Sequence, residues 1–440
     1  MDHLKGGFFV SAVETPKMKI WIVNPYETLA FGGNGLRYSC LSEALVSDRI
    51  VDQGEFARPA EVVWWTADWC HGGKCKRRVS GRIPAGITIK LLEVRAYRRN
   101  ISLQRIRSHR DFARSWAREA EGEARRSGLP ALILFSVPPM ETGAVALRLG
   151  RQFGCKVVMD VMDAWPDSLL LAAPPVPGGR WIGRLLLKPY RSLFKSYCHG
   201  VDAVIAQSEA FADHARRFGW KGEVPIFYLG GQQGRGRKLE ETDSSQRGVL
   251  KRTIKMVYLG SMGKVYDLET LIRAMAIFKA DSERDFDLQL KFIGHGGKLN
   301  HLKLMVTKLG LEDSVHFAGF LSGEELTKAM EGADVGIIAM WPGSGVAIPY
   351  KVGDYLGAGL AVVSSLPGEL EDLLEAWKCG FRYIAGDPRS LVSAWKKVAG
   401  DESALVASKR GAAALFREKF DRQKISERFA GAVLGYAASE

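Results

Sequence analysis

The chain has 440 residues, of which 46% are hydrophobic and 25% are charged. This is an ordinary globular composition, and it excludes fibrous and largely disordered classes of protein. The net charge is +13, and residues 1–200 contain 30 Lys and Arg against 18 Asp and Glu, so almost all of the excess lies in the first half. We expect that half to meet an anionic partner such as a membrane surface, a nucleic acid or a phosphorylated substrate.

The six cysteines are scattered, and only Cys70 and Cys75 lie close together. A chain of this length does not need disulfides, so we expect reduced thiols and a cytosolic location. The first 19 residues have no apolar core of signal-peptide length, and no window predicts a membrane-spanning helix. Residues 70–75 have no second pair of ligands at a zinc-like spacing, so neither a metal nor another cofactor is expected.

Short apolar runs, each typical of a buried strand, alternate with helical patterns along the chain. In the first half the apolar runs are residues 20–24, 61–66, 87–92, 131–137, 157–161 and 201–206, and the helical patterns are 35–45, 102–126, 141–153 and 209–218. In the second half the runs are 254–259, 288–293, 315–317, 335–339 and 360–363, and the helical patterns are 268–279, 299–309, 323–331, 351–357 and 369–377. This alternation predicts two doubly wound α/β domains with parallel sheets, and the polar residues 230–252 between them predict a linker. The last forty residues are predicted to be helical.

Two candidate ligand sites follow strands of the first half, where parallel sheets bind their ligands. Residues 32–35 are glycine-rich and open a helix, which favours an anion site or a plain tight turn. Asp163 and Asp167 flank Trp165 and suit a sugar, although Asp167 could equally cap the next helix and Trp165 could be a core residue.

Two more candidates follow strands of the second half. Residues 294–297 are glycine-rich and precede a helix, so their backbone amides could cradle a phosphate. Lys351 can neutralise a phosphate. Asp354, one turn later, can accept hydrogen bonds from a ribose diol or can simply favour the helix dipole.

The order and spacing of these motifs resemble the family-4 retaining glycosyltransferases of the GT-B fold, in the branch that acts in bacterial exopolysaccharide, capsule or O-antigen synthesis. The residues that carry the resemblance are 32–33, Arg37, 62–66, His71, 97–103, 138–139, 160–167, 260–261, 266–268, 294–296, 317–319, 349–351, 354–356 and 358–359. The resemblance implies two facing Rossmann-like domains and a final helix that returns to the first domain. The implied boundaries are 1–229 for the acceptor-binding domain, 230–252 for the linker, 253–420 for the nucleotide-sugar domain and 421–440 for the returning helix.

The resemblance also implies roles for individual residues. The implied donor-binding residues are Gly32, Gly33, Ser261, Lys264, Gly294, His295, Gly296, Phe320, Val346, Ala347, Lys351 and Asp354. Among them Lys351 and the loop 294–296 would meet the diphosphate, Asp354 the ribose, and Phe320 would lie near the base. Asp163 would lie near the transferred sugar as the catalytic residue, and His71 and Trp165 would contact a lipid-linked saccharide acceptor. The leaving diphosphate would need no metal, because cations and backbone dipoles stabilise it.

The chain departs from the family pattern at several positions. Val346 and Asp354 stand where many members have two Glu, so backbone amides near Val346 would have to hold a sugar hydroxyl. Tyr266 and Asp267 replace a common Lys-Gly, whose phosphate role could pass to Lys264 or Lys351. Met162 replaces a frequent His of the catalytic site. These losses keep an inactive GT-B binding subunit open as an alternative, together with a UDP-sugar epimerase. A nucleic-acid binder is less favoured because no motif for one is present.

A basic, aromatic-rich segment predicts contact with an anionic membrane surface. No acidic residue lies between Asp167 and Asp202. The cations of the segment share one helical face by spacing, and they are Arg180, Arg184, Lys188, Arg191 and Lys195. The remaining positions of the segment are apolar or aromatic, which is typical of interfacial helices. These residues are Trp181, Ile182, Leu185, Leu186, Tyr190, Leu193, Phe194 and Tyr197. Pro189 predicts either one helix or two, and a solvated crossover helix is the alternative. A peripheral location on the inner face of the cell membrane would follow.

Overall fold

The computed structural model describes residues 17–32, 35–47, 59–79, 81–99, 102–172, 179–234 and 252–439. The first domain is built on β1 (Lys19–Val23), β2 (Glu61–Ala67), β5 (Ile87–Leu92), β6 (Leu132–Val137), β7 (Lys156–Val161) and β8 (Ala203–Ala206). A small hairpin, β3 (Trp69–Cys70) and β4 (Cys75–Lys76), lies outside this sheet. The helices are α1 (Arg37–Leu45), α2 (Leu103–Ser127), α3 (Glu141–Phe153), α4 (Gly179–Leu186), α5 (Lys188–Gly200) and α6 (Glu209–Arg217), and a 3₁₀ turn spans Asp167–Ala172.

The second domain is built on β9 (Arg252–Leu259), β10 (Phe286–Ile293), β11 (Val315–Gly319), β12 (Val335–Ile338), β13 (Ala361–Ser364) and β14 (Gly380–Arg382). Its helices are α7 (Leu268–Ala280), α8 (Leu299–Lys308), α9 (Gly323–Glu331), α10 (Lys351–Gly357), α11 (Glu369–Ala376) and α12 (Pro388–Ala399). The chain ends with α13 (Glu402–Leu415), a π-helical turn (Phe416–Phe420) and α14 (Arg422–Ala438). The sequence did not predict β14 or the hairpin, because each strand of these is only two or three residues long.

The two sheets have the same topology. Their strand orders are β5-β2-β1-β6-β7-β8 and β11-β10-β9-β12-β13-β14, and all pairs are parallel. In each sheet the strand order reverses beside the first strand, which is the doubly wound Rossmann arrangement and places a ligand crevice at the carboxyl end of that strand. The predicted fold class, two Rossmann-like α/β domains with a returning helix, is therefore confirmed.

The chain end returns to the first domain, where α14 packs against α1. The helical chain end is interrupted at Asp421, whose side chain accepts hydrogen bonds from the N–H groups of Gln423 and Lys424 and so begins α14. The stretch after α6 meets this end of the chain through two stacked ring pairs: Phe227 with Phe429 and Tyr228 with Phe420, at centroid distances of 4.6 Å and 4.8 Å. Most of the predicted linker, residues 235–251, lies outside the described residues.

None of the helices in the described part of the chain combines the length and the apolar character that crossing a bilayer requires.

Candidate functional site

The loops that follow β9 and β10 are locked together by glycines at the crevice of the second domain. A Cβ atom on Gly294 would lie 2.1 Å from the carbonyl oxygen of Gly260, and one on Gly296 would lie 2.5 Å from the backbone of Met262. The N–H of Met262 donates to the carbonyl of His295 at 2.9 Å. Glycine is required at both positions because no side chain fits this close backbone approach.

Lys351 is a buried cation at the same crevice. Its side chain comes from the start of α10, the residue is only 8% exposed, and Nζ has no hydrogen-bond partner. Nζ lies 4.2 Å from the ring centre of Tyr258 and 4.9 Å from that of Tyr266, and a Cβ on Gly260 would lie 2.9 Å from it. Burial lowers the pKa of Lys351 to about 7. The ammonium group of Lys351 thus points at the loop after β9 without a counter-ion. An anion bound at that loop would balance its charge.

His295 and Phe320 form the next part of this edge. The backbone N–H of Phe320 donates to Nε2 of His295 at 3.1 Å, so this hydrogen bond fixes the ring beside the loop after β11. The Phe320 side chain is 71% exposed and offers an unstacked aromatic face. Ser261 and Lys264 are exposed in the loop after β9. The structure therefore gathers these four predicted residues along one side of the crevice.

Asp354 and the loop before α10 face the first domain. Asp354 is half-buried one turn after Lys351, and burial raises its pKa while the charge of Arg422 opposes that rise. Val346 is 39% exposed and carries no polar group, and Ala347 packs against the core of the first domain. Since Ala347 reaches across, the loop that holds the predicted sugar contacts also joins the two domains.

The glycine loop of the first domain is only partly described. Gly32 has φ +74°, and its N–H donates to Oε1 of Glu43 at 2.6 Å. Its amide is therefore already occupied in this structure. Gly33, the other predicted residue of this loop, lies outside the described residues.

A second cluster of aromatic and basic groups lies at the carboxyl edge of the first sheet. Nδ1 of His71 lies 2.6 Å from the hydroxyl of Tyr97, and the ring of Tyr26 packs edge-on against that of His71 at 5.2 Å. The guanidinium of Arg105 lies 5.1 Å from the ring centre of Tyr26 and 5.2 Å from that of Trp165. The two predicted acceptor residues, His71 and Trp165, thus belong to one cluster, although Trp165 is buried.

Burial and neighbouring charges shift the pKa values of two groups in and beside this cluster. Burial, reinforced by the charge of Arg105, lowers the pKa of His71 to about 4. Burial raises the pKa of Asp163, which is half-buried, and in this case the charge of Arg105 opposes the effect of burial. His109, one turn after Arg105 on α2, lies 5.7 Å from the Trp165 ring. Three residues of this cluster, Tyr26, Arg105 and His109, were not predicted from the sequence. The four-residue spacing of Arg105 and His109 nevertheless puts those two on one helical face.

Asp160 lies within one of the motifs that carry the family resemblance. Its carboxylate is held by neighbouring side chains and has a structural role. Arg37 donates from Nε and Nη2 to its carboxylate at 2.7 Å and 2.9 Å, and the hydroxyl of Tyr38 donates at 2.6 Å. The guanidinium also lies 4.7 Å from the ring centre of Phe429 on α14. This buried ion pair joins α1, β7 and the returning helix.

The basic segment forms two helices, which is one of the two arrangements that the sequence predicted. On α4, Trp181 and Leu186 are 69% and 72% exposed, and Ile182 and Leu185 are exposed as well. Arg184, Lys188 and Lys195 are exposed cations, whereas the side chain of Arg180 lies outside the described residues.

The structure differs from the predicted single basic face at Arg191, which pairs with Asp167 and stacks on Phe218. It also differs on the apolar face, because Phe194 and Tyr197 are buried in the core of the first domain. The helix α5 is thus attached to the domain through residues that had been predicted to face a membrane.

Comparison with known proteins identifies the fold to which this architecture belongs. The family model described as glycosyl transferases group 1 matches residues 240–413. Sucrose-phosphate synthase of Thermosynechococcus elongatus is 15% identical with a TM-score of 0.66, over 96% of this chain and all of that one. The HepE protein of Anabaena in complex with UDP is 16% identical with a TM-score of 0.60, over 95% of this chain and all of that one, and its UDP-glucose complex gives 0.57. The fold is GT-B.

A curated protein of Escherichia coli strain K12, named as the colanic acid biosynthesis glycosyltransferase WcaL, is 24% identical over 155 residues. This match covers 34% of this chain and 38% of that protein, so it spans well under half of the relative. The second GT-B domain, which contains Lys351 and Asp354, lies within the region that the family model matches.

Proposed function

We propose that the chain is a retaining glycosyltransferase that moves a sugar from a nucleotide-sugar to a saccharide acceptor in cell-surface polysaccharide synthesis. Lys351 carries the proposal: it is a buried cation without a hydrogen-bond partner at the strand-order reversal of a GT-B domain. A diphosphate is the natural partner of such a group, because it supplies the missing charge and hydrogen bonds. The UDP bound to HepE and the biosynthetic name of WcaL support the substrate class.

The donor would lie across the crevice of the second domain. Its diphosphate would meet Lys351 and the amides of the loop 294–296, with Ser261 and Lys264 on the rim, and its ribose would meet Asp354. The exposed ring of Phe320 would stack on the base. Backbone amides at Val346 and Ala347 would hold sugar hydroxyls, and Gly32 and Gly33 would close on the diphosphate from the first domain.

The proposed roles in sugar transfer follow from the positions at which charge develops on the substrate during the reaction. As the bond between the sugar and the diphosphate breaks, negative charge grows on the leaving oxygen, and the Lys351 ammonium stabilises it without a metal ion. Asp163 would lie beside the transferred sugar, where its carboxylate can stabilise positive charge on the sugar ring. The cluster of His71, Tyr26 and Trp165 would receive the acceptor.

Replacing Asp354 with alanine is expected to weaken donor binding. A charged acceptor that holds a ribose diol contributes about 1.5–3 kcal/mol, which corresponds to a roughly ten- to hundredfold loss of affinity. Titration calorimetry with UDP-glucose measures the loss, and Glu331→Ala, outside the crevice, is the control. An affinity unchanged in Asp354→Ala would show that Asp354 only favours the start of α10.

The acceptor is proposed to be lipid-linked, with α4 resting on an anionic membrane at the cytoplasmic side. The exposed Trp181, Ile182, Leu185 and Leu186 on α4 supply an apolar face, and exposed cations flank it. A basic and aromatic helix of this kind lies in the interface between lipid headgroups and acyl chains.

A flotation experiment tests membrane binding. The native chain is expected to float with anionic liposomes at low salt and not with neutral ones, since each cation near an anionic leaflet contributes about 1 kcal/mol. The variant Arg184→Gln, Lys188→Gln, Lys195→Gln is expected to lose most of this binding. The matched control changes three exposed cations of the second domain, Lys308, Arg389 and Lys397, to Gln. Equal flotation of both variants and the native chain would overturn membrane binding through α4.

A binding-only GT-B subunit is the second candidate, because Val346 replaces a family Glu with a side chain that cannot hydrogen-bond a sugar. Slow hydrolysis of UDP-glucose, or transfer of labelled sugar to lipid in a membrane extract, distinguishes the two. Tight nucleotide binding with neither reaction, across a screen of donor sugars, would favour the subunit.

A further inference from the structure

Two cysteines that the proposed function does not use face each other across the β3–β4 hairpin. Cys70 and Cys75 are paired residues of its antiparallel strands. Opposite residues of such a pair have Cα atoms about 4.5–5.5 Å apart. A disulfide joins Cα atoms about 4.4–6.8 Å apart. The hairpin backbone therefore already holds the two residues at a separation that a disulfide can bridge.

The two sulfur atoms lie on the same side of the hairpin, beside Gly73. A Cβ atom on Gly73 would lie 3.1 Å from Sγ of Cys75 and 3.7 Å from Sγ of Cys70. The N–H of Gly73 also donates to Sγ of Cys70 at 3.5 Å. The absence of a side chain at Gly73 thus leaves free the space in which the sulfurs can meet. Both thiols are reduced in the structure, and Cys75 is exposed.

The other four cysteines are protected. Burial raises the pKa of Cys40 and Cys155 to about 11, and that of Cys198 and Cys379 to about 12. Because the thiolate is the reactive form, these four are poor nucleophiles near neutral pH. Oxidation is therefore expected to be selective for the hairpin.

The turn of the hairpin carries His71, a member of the proposed acceptor cluster, and Lys74, which lies beside Tyr97 of that cluster. His71 contacts the Tyr97 hydroxyl, and Nζ of Lys74 lies 4.8 Å from the Tyr97 ring centre. The base of the hairpin is fixed separately, because Arg77 donates to the carbonyls of Ala67 and Pro25 at 2.5 Å and 2.6 Å. A bond between Cys70 and Cys75 would constrain the turn without moving its base.

We propose that Cys70 and Cys75 form a redox-active dithiol that closes to a disulfide by exchange with a small disulfide and thereby constrains the turn bearing His71 and Lys74. The Cys75 thiolate attacks the small disulfide, forms a mixed disulfide and releases one small thiolate. The Cys70 thiolate then attacks the Cys75 sulfur, and the second small thiolate leaves. The two cysteines lose two protons, and two electrons pass to the small disulfide. A metal site is the less favoured use, because no three His, Cys, Asp or Glu side chains in the described ranges are placed to share an ion.

The bridge is tested with oxidised glutathione on the full chain. After blocking of free thiols, denaturation and tryptic digestion, cleavage after Lys74 turns the bridge into two linked peptides that a reductant separates. The native chain is expected to lose two of its six thiols. Cys70→Ser is expected to accumulate glutathione on Cys75, and Cys155→Ser is expected to behave like the native chain. A bridge to any other cysteine, six free thiols, or no adduct on Cys70→Ser would overturn the dithiol.

The effect on the turn rests on the proposed function and has its own measurement. Formation of the Cys70–Cys75 disulfide is expected to leave the affinity for UDP-glucose unchanged and to change the rate of sugar transfer to a lipid acceptor several-fold. The double variant Cys70→Ser, Cys75→Ser is expected not to respond to oxidation. Equal transfer by the reduced and oxidised native chain would overturn the coupling. If neither form transfers sugar while the linked peptides are present, the proposed function fails and the dithiol stands.

Discussion

Replacing Lys351 with methionine is expected to weaken UDP-glucose binding at least a hundredfold. Removing one partner of a buried charge pair costs about 3–5 kcal/mol. The same change is expected to raise the midpoint of thermal unfolding of the free protein by several degrees. In the free protein the pKa of Lys351 is lowered by burial to about 7, so protonation of this lysine opposes folding. That opposition is fully present below about pH 7 and fades as the pH rises toward the unfolded value of 10.5.

The pH dependence of donor binding provides a second measurement on the same residue. A bound diphosphate favours the ammonium form, so the pKa of Lys351 must be higher in the complex than in the free protein. Above about pH 7 donor binding therefore takes up a proton, and the affinity falls as the pH rises until the pKa of the complex is reached. UDP-glucose is the suitable probe because its diphosphate does not itself titrate near neutral pH.

Calorimetry at pH values above neutrality, in buffers of different ionisation enthalpy, measures the proton uptake, and Lys351→Met is expected to abolish it. Lys279→Met is the control, because Lys279 is exposed on α7 and donates to the carbonyl of Gly310. A Lys351→Met variant that binds UDP-glucose like the native chain would falsify the diphosphate site.

Replacing Arg37 with methionine is expected to have the largest effect on stability, about 3–5 kcal/mol of the free energy of unfolding. The change leaves the fully buried Asp160 carboxylate with only the Tyr38 hydroxyl as a donor among the contacts seen here. The double variant Arg37→Met, Asp160→Leu is expected to lose less than the single one, because no uncompensated charge then remains buried.

Urea unfolding measures both variants of this pair. The control is Lys328→Met, which removes an exposed pair with Glu324 and should cost less than about 1 kcal/mol. If Arg37→Met costs no more than this control, the buried pair does not hold the first domain together.

Motifs at strand ends predicted much of the crevice. The glycines at 294 and 296 and the lysine at 351 are found together because parallel strands of one sheet end at one edge. The surroundings of Lys351 could not be predicted, since Tyr258 and Tyr266 come from another part of the chain and nothing local marks them as its neighbours. The unpaired state of its ammonium, which carries the proposed function, is likewise visible only in the folded chain.

The first domain was harder to predict in detail. Charge spacing placed Arg191 with the other cations, but the ion pair with Asp167 turns it toward the domain, and periodicity alone cannot show such a partner. Tyr26, Arg105 and His109 come from two distant segments and form a cluster only through the strand order.

The returning helix has a consequence for synthesis on the ribosome. The Arg37 guanidinium pairs with Asp160 early in the chain but rests on Phe429, which is translated almost 400 residues later. At about 5–20 residues per second, the first sheet can form many seconds before α14 emerges. The first domain therefore begins to fold before the second domain but is completed after it. A nascent chain stalled within the second domain would expose the surface of α1 that α14 covers. Truncation before Arg422 should yield an aggregation-prone first domain rather than a functional half.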